Sequence, residues 1–261
     1  MFTKTHFALV TGASSGIGYA LARELGKRGF NLLIVSNVEA INACAEELRV
    51  AYPAIEVIPL VRDLSTQDAA RELYEYTQAQ GIEVEALVNN AGVYHDCDIL
   101  DDSEAFTSLI MNLHMYTPAM LCYLFGQDMR KRKHGYMLNI CSVTDKMAAQ
   151  RLGTYGSTKA FLSHFTRALH IELKPFGVYV TNVSPGAVDT CLYNIRPWMT
   201  TVGKCLGIIA SPEMLARRGV RAMLHGRSKV TIPAVFWHVL TTIILFIPTW
   251  LLRLIRRLGL F

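Results

Sequence analysis

Phe7-Ala-Leu-Val10, followed without a break by Thr11-Gly-Ala-Ser-Ser-Gly-Ile-Gly18, decides the fold of this chain. Four apolar residues make a short buried strand, and three glycines in the next eight residues make a tight turn. Behind the turn, residues 19–28 carry Ala20, Leu21, Leu25 and Gly26 at helical spacing, closed by Gly29. The same alternation repeats outward. Strands are expected at 30–35, 56–61, 86–92 (with its turn), 135–141, 178–183 and 229–232. Helices are expected at 38–50, from a capping box formed by Ser65 and Asp68, over 103–133 with a break near Pro118, and at 153–174. A last helix should start at Ser211, where Ser-Pro-Glu supplies the N-cap and first-turn residues. Strands alternating with helices in units of about 30 residues mean a parallel sheet covered on both faces. We read residues 1–232 as one doubly wound α/β domain and residues 233–261 as an apolar, basic tail.

Composition agrees with a folded enzyme-sized domain. Hydrophobic residues are 51% and charged residues 18% of 261, against about 45–50% and 25% in average soluble proteins, which excludes disorder and collagen-like structure. Cys44, Cys97, Cys122, Cys141, Cys191 and Cys205 contain no Cys-x-x-Cys pair, so neither a disulfide framework nor a metal site is signalled. They read as small core residues in a reducing compartment. The formal charge is +5 but uneven: Glu213 onward holds eight basic residues and one acid, net +7, which leaves −2 on residues 1–212. Basic and aromatic residues do not interleave in that segment, so nucleic-acid binding is not expected. The first strand begins almost at Met1, which leaves no room for a targeting segment and sets the expectation of a cytoplasmic protein.

Two constellations carry chemistry. Gly12, Gly16 and Gly18 lack Cβ, so the backbone between strand and helix can approach a phosphate, with helix N–H groups pointing at it. Tyr155-Gly-Ser-Thr-Lys159 sets a phenol and an ammonium on one helix face. A cation nearby favours the phenolate and draws a Tyr towards useful acid–base strength. Ser142 lies thirteen residues upstream, just past a strand, where its hydroxyl can bond a substrate oxygen. Taken singly, a glycine turn also serves without a ligand, and Tyr-x-x-x-Lys pairs are common on solvated helices. Their combination carries the reading.

With these residues quoted, the chain resembles the single-domain short-chain dehydrogenase/reductase family, whose sheet is of the Rossmann type. The matching positions run in order: 11–18, Asp63, Asn89-Asn-Ala-Gly92, Asn112, Ser142, Tyr155 with Lys159, then Pro185-Gly186 and Thr190. The resemblance implies a nicotinamide cofactor held at its phosphates by Gly12, Ser14, Gly16, Ile17 and Gly18. It further implies Asp63 on the adenine, and Asn89, Ala91 and Gly92 along the adenosine. Pro185, Gly186, Val188 and Thr190 would lie at the nicotinamide. It makes Tyr155 the general acid in reduction, Lys159 its cationic partner on the nicotinamide ribose, and Ser142 the carbonyl-orienting donor. Asn112 would hold a relay water. Two positions depart from the pattern. Cys141 stands where the family often has Ser, and Ser36-Asn37, at the ribose-reading end of the second strand, is neither acidic nor basic. The missing acid favours NADP(H), with NAD(H) as the alternative.

Substrate and partners are read from what remains. Leu192, Tyr193, Ile195, Trp198, Met199, Val202, Leu206, Ile208 and Ile209 suggest a cover over a lipophilic ligand, such as a 3-keto lipid or a steroid-like alcohol. Residues 232–252 contain no formal charge and are flanked by Arg227 and Lys229 before and by Arg253, Arg256 and Arg257 after. That pattern suits attachment to the cytoplasmic face of a membrane, while Pro248 and His238 argue against a full span. The alternatives are a tail packed on the domain or a partner subunit, with a soluble polar substrate, and a non-catalytic cofactor sensor. A homo-oligomer is expected.

Overall fold

The computed structural model describes residues 6–146, 151–189 and 209–232. Seven strands form one parallel sheet in the order β3-β2-β1-β4-β5-β6-β9. They are β1 (His6–Thr11), β2 (Asn31–Ser36), β3 (Val57–Val61), β4 (Glu83–Asn89), β5 (Gly135–Ile140), β6 (Val178–Pro185) and β9 (Lys229–Ile232). A small parallel pair, β7 (Ala187–Val188) and β8 (Ile209–Ala210), stands apart from the sheet. The doubly wound α/β expectation is met. Successive side chains on a strand face opposite ways, so the core divides in two. Ala8, Val10, Leu32 and Ile34 pack beneath α1 (Gly16–Gly26), α2 (Ala40–Ala51) and α7 (Pro212–Leu224). Phe7, Leu9, Leu33 and Val35 face α3 (Ala69–Ala79), α5 (Thr117–Arg132) and α6 (Gly153–Leu173). Cys122 and Cys141 are buried as small core residues.

A bulge adjusts β4. Phe7 pairs with Val84 and Ala8 with Ala86, so Glu85 is an extra residue. Its buried carboxylate sits 2.6 Å from His6 Nδ1 and 2.7 Å from His134 Nε2.

Local signals were read well at some helix ends and wrongly at one. Ser211 caps α7 as expected, its Oγ accepting from the Met214 N–H at 3.1 Å. The capping box at Ser65 and Asp68 does not form. The helix α3 starts at Ala69, and the Ser65 N–H is taken by the Asp63 carboxylate at 2.9 Å. An acid two residues before the serine outcompetes the helical arrangement, as Asx turns do.

The expected break near Pro118 is a π turn. Pro118 has no N–H to give to the His114 carbonyl. The chain therefore leaves α4 (Glu104–Met111) through a π turn over Asn112–Tyr116, closed by the Thr117 N–H on the Asn112 carbonyl, before α5 begins. Such turns recur at functional sites. Strand order reverses between β1 and β4, so their carboxyl ends open the crevice in which ligands of this fold class bind.

Candidate active site

A groove of about 770 Å³ lies along those carboxyl ends, within the range of about 300–1,000 Å³ usual for ligand pockets. The turn after β1 forms one wall. Gly12 and Gly16 have φ of +65° and +54°, a conformation other residues adopt only at a cost. A Cβ on Gly18 would come within 2.0 Å of the Gly12 carbonyl oxygen, so helix and turn touch backbone to backbone. Asn90, which sequence reading left without a role, locks this turn. Its Nδ2 donates to the carbonyls of Thr11 (3.0 Å) and Gly12 (3.1 Å). Thr11 Oγ1 in return accepts from the N–H groups of Asn90 and Ala91, both at 3.0 Å. Gly12, Ser14, Gly16, Ile17 and Gly18 all line the groove. The residues present are compatible with a phosphate-bearing ligand: the turn closes backbone on backbone at the start of α1, whose first N–H groups would face it.

Further along, Ser36, Asn37 and Asp63 line the groove beside the carboxyl ends of β2 and β3. Ser36 Oγ donates to Ser14 Oγ at 2.9 Å. Arg62 joins them, its backbone N–H donating to the Ser36 carbonyl at 2.7 Å and its guanidinium paired with Glu72 at 2.7 Å. Arg23 also reaches the groove. These two cations were missed because neither follows the second strand; only folding brings them beside it. Ala91, Gly92, Pro185, Gly186 and Val188 line the remainder. Thr190 lies outside the described residues.

Tyr155 and Lys159 are both buried and both line the groove. The ammonium is 5.7 Å from the Tyr155 ring centroid and donates to the Ile140 carbonyl at 3.1 Å. Burial pulls the Lys159 pKa down from 10.5 to about 8, and the Cys141 thiol opposes this weakly. Ser142, also buried, follows β5. Its Oγ accepts from the Thr144 N–H (3.2 Å) and hydroxyl (2.9 Å), so its remaining capacity is that of a donor.

Three expected residues are not among the groove's lining residues: Ser142, which follows the lining Cys141, and Asn89 and Asn112. Asn89 is turned into the core, its Nδ2 donating to Asn139 Oδ1 at 2.8 Å, because alternation along β4 sends Asn90 to the turn and Asn89 inward. It does not line the groove, and its Oδ1 has no partner among the described residues. Asn112 opens the π turn, half-buried, and is not among the groove's lining residues. His114, two positions on, does line it, as does Val93. On the adjoining loop His95, Cys97 and Asp102 cluster within 4.8 Å, with His95 Nδ1 and Asp102 Oδ1 3.2 Å apart, a bond that braces the loop.

Fold and groove together define a doubly wound α/β protein with a tyrosine–lysine pair facing a glycine-rich turn across one groove. A family model described as short chain dehydrogenase matches residues 6–198. The chain belongs to that family. Over 197 residues it is 32% identical to a very-long-chain 3-oxoacyl-CoA reductase of Podospora anserina, an alignment covering 74% of this chain and 58% of the relative. The chain spans about three-fifths of the length of the curated relatives it matches. Among solved structures it resembles a short-chain dehydrogenase from Sphingobium yanoikuyae in complex with NADPH. The TM-score is 0.78 at 23% identity, over 91% of this chain and 92% of that one. A metagenomic short-chain oxidoreductase in complex with NADP matches with TM-score 0.72 at 26% identity, over 88% of this chain and 97% of the other.

Proposed function

We propose that this chain is an NADP(H)-linked reductase of a lipophilic ketone, with a 3-keto acyl lipid as the substrate class. The observation that carries the proposal is the opening of the glycine cradle and the buried Tyr155–Lys159 pair onto one groove. A nicotinamide dinucleotide held by Gly12, Ser14, Gly16, Ile17 and Gly18 would supply the hydride. Tyr155 gives its phenolic proton to the oxygen that gains charge as the carbonyl is reduced. The Lys159 ammonium stabilises the phenolate left behind, and the Ser142 hydroxyl donates to the same substrate oxygen. Arg62 beside Ser36, with no acid at the end of β2, supports a preference for a 2′-phosphate.

The substrate class is supported by the 32% identical 3-oxoacyl-CoA reductase and by the apolar stretch at 192–209, of which only Ile209 lies among the described residues. Attachment to a membrane surface is proposed from the sequence of residues 233–261. Among the described residues no helix is long and apolar enough to cross a membrane. Exposed Tyr123 on α5 and Phe161 and Ile171 on α6 support assembly with a second copy.

The test is NADPH oxidation in detergent with long-chain 3-ketoacyl thioesters, steroid ketones and small polar carbonyls. Tyr155→Phe should bind NADPH nearly normally yet turn over at least ~100-fold more slowly, the scale of a lost general acid. Turnover confined to the small polar carbonyls overturns the substrate class. A near-normal rate in Tyr155→Phe overturns the catalytic assignment.

A further inference from the structure

The buried imidazole of His114 touches the loop after β4, the start of α6 and the Tyr155 ring itself. Its Nε2 lies 2.9 Å from the Val93 N–H and accepts from it. A backbone N–H can only donate, so Nε2 carries the lone pair and the ring proton is on Nδ1. That nitrogen lies 3.1 Å from Thr158 Oγ1, whose own proton goes to the Tyr155 carbonyl at 2.8 Å. A single directed chain therefore runs from the Val93 N–H through the imidazole and the Thr158 hydroxyl to the backbone of Tyr155.

Packing follows the same path. The His114 ring meets the Tyr155 ring edge-on at 5.7 Å, and Tyr94, next to Val93, meets it edge-on at 5.3 Å. Gly92 packs on this ring, and a Cβ there would stand 2.8 Å from Nε2 and push the imidazole aside. The imidazole is 1% exposed, and burial, with the Lys159 charge second, keeps its pKa well below 6.5. Protonation would put a second donor against the Val93 N–H, so the neutral ring is the one the geometry requires.

We infer that His114 is a positioning residue for Tyr155, clamping the loop after β4 and the first turns of α6 so that the phenol is held beside Lys159. This rests on Tyr155 being the proton donor, and the experiment separates the two. With NADPH and a long-chain 3-ketoacyl thioester as probe, His114→Leu should lower kcat about 10–100-fold, the scale of an ångström-size misplacement. NADPH affinity should fall by a smaller factor than kcat, because the glycine turn of residues 12–18 is untouched although Gly92 and Val93 adjoin the ring. Thr158→Val, which cuts the chain without emptying the ring's site, should lower kcat in the same direction. His114→Asn, which keeps an amide donor for Thr158, should recover part of the loss.

A second readout needs no substrate. The phenolate absorbance of Tyr155, taken as the difference from Tyr155→Phe, should move to higher pH in His114→Leu and Thr158→Val. A structural role alone would lower thermal stability and leave that titration in place. Unchanged kcat and an unchanged titration in Thr158→Val, or in a folded His114→Leu, overturn the inference. Normal turnover in Tyr155→Phe instead overturns the reading beneath it.

Discussion

Replacing Gly18 by alanine tests the cradle most directly. The added Cβ would stand 2.0 Å from the Gly12 carbonyl oxygen and 2.7 Å from its carbon. An ordinary carbon–oxygen contact is about 3.3 Å, so turn and helix must part by about 1.3 Å. Both partners are backbone, and no rotamer change relieves the clash. The Gly12 carbonyl is held by Asn90 Nδ2, which also holds Thr11, so the shift strains two hydrogen bonds. Each is worth about 0.5–1.5 kcal/mol, and overpacking adds about 1–3 kcal/mol. The sum is about 4 kcal/mol, or a fall of about 8–16 °C in Tm for a domain of this size. NADPH affinity should drop about 100-fold as the helix N–H groups leave register.

Gly29→Ala is the matched control. Gly29, unlike Gly18, has positive φ, and a Cβ there meets nothing within 4 Å, so only a backbone cost of about 1 kcal/mol applies, with no contact to relieve. Thermal unfolding and NADPH fluorescence titration measure both variants. Gly18→Ala with unaltered Tm and cofactor affinity, or with a loss no larger than that of Gly29→Ala, would refute the backbone-contact argument.

Four other outcomes are expected. In the cofactor-free protein Lys159 loses its proton near pH 8, so kcat/KM for reduction should fall above about pH 8, and a flat profile to pH 10 speaks against the cationic role. The unfolded chain keeps that proton to about 10.5, so below pH 8 the fold bears the cost of a buried cation. Stability should therefore rise between about pH 8 and 10.5, and urea midpoints of Lys159→Met should lack that rise. Arg62→Ala should weaken NADPH binding more than NADH binding, and an equal loss would mean the guanidinium does not read the 2′-phosphate. Removing residues 233–261 should move the protein from vesicle-bound to free in a flotation assay with anionic lipid; an unchanged distribution removes the membrane proposal.

What the chain declared by itself was whatever depends on neighbours in sequence. Short apolar runs announced all seven strands of the main sheet to within a few residues, because a strand's burial is written in consecutive side chains. The glycines of 11–18 and the four-residue spacing of Tyr155 and Lys159 were equally legible, each being one turn of backbone. Even the break before Pro118 followed from a missing N–H, though its form as a π turn did not. Ser65 and Asp68 mark the limit, since Asp63 competed for the same N–H and won.

Tertiary structure alone decided the rest. Asn90 and Thr11 are 79 residues apart in sequence, and Arg62 and Ser36 meet only because β3 pairs with β2. Which of Asn89 and Asn90 turns inward depends on the course of β4, which the bulge at Glu85 shifts by one residue. His114 had no sequence signal, because a lone histidine in an apolar helix acquires a role only when Val93 and Thr158 arrive on either side. A hydrogen bond is directional and reaches about 3 Å, so it is specified by the packed arrangement of distant segments, whereas periodic burial is specified one residue at a time.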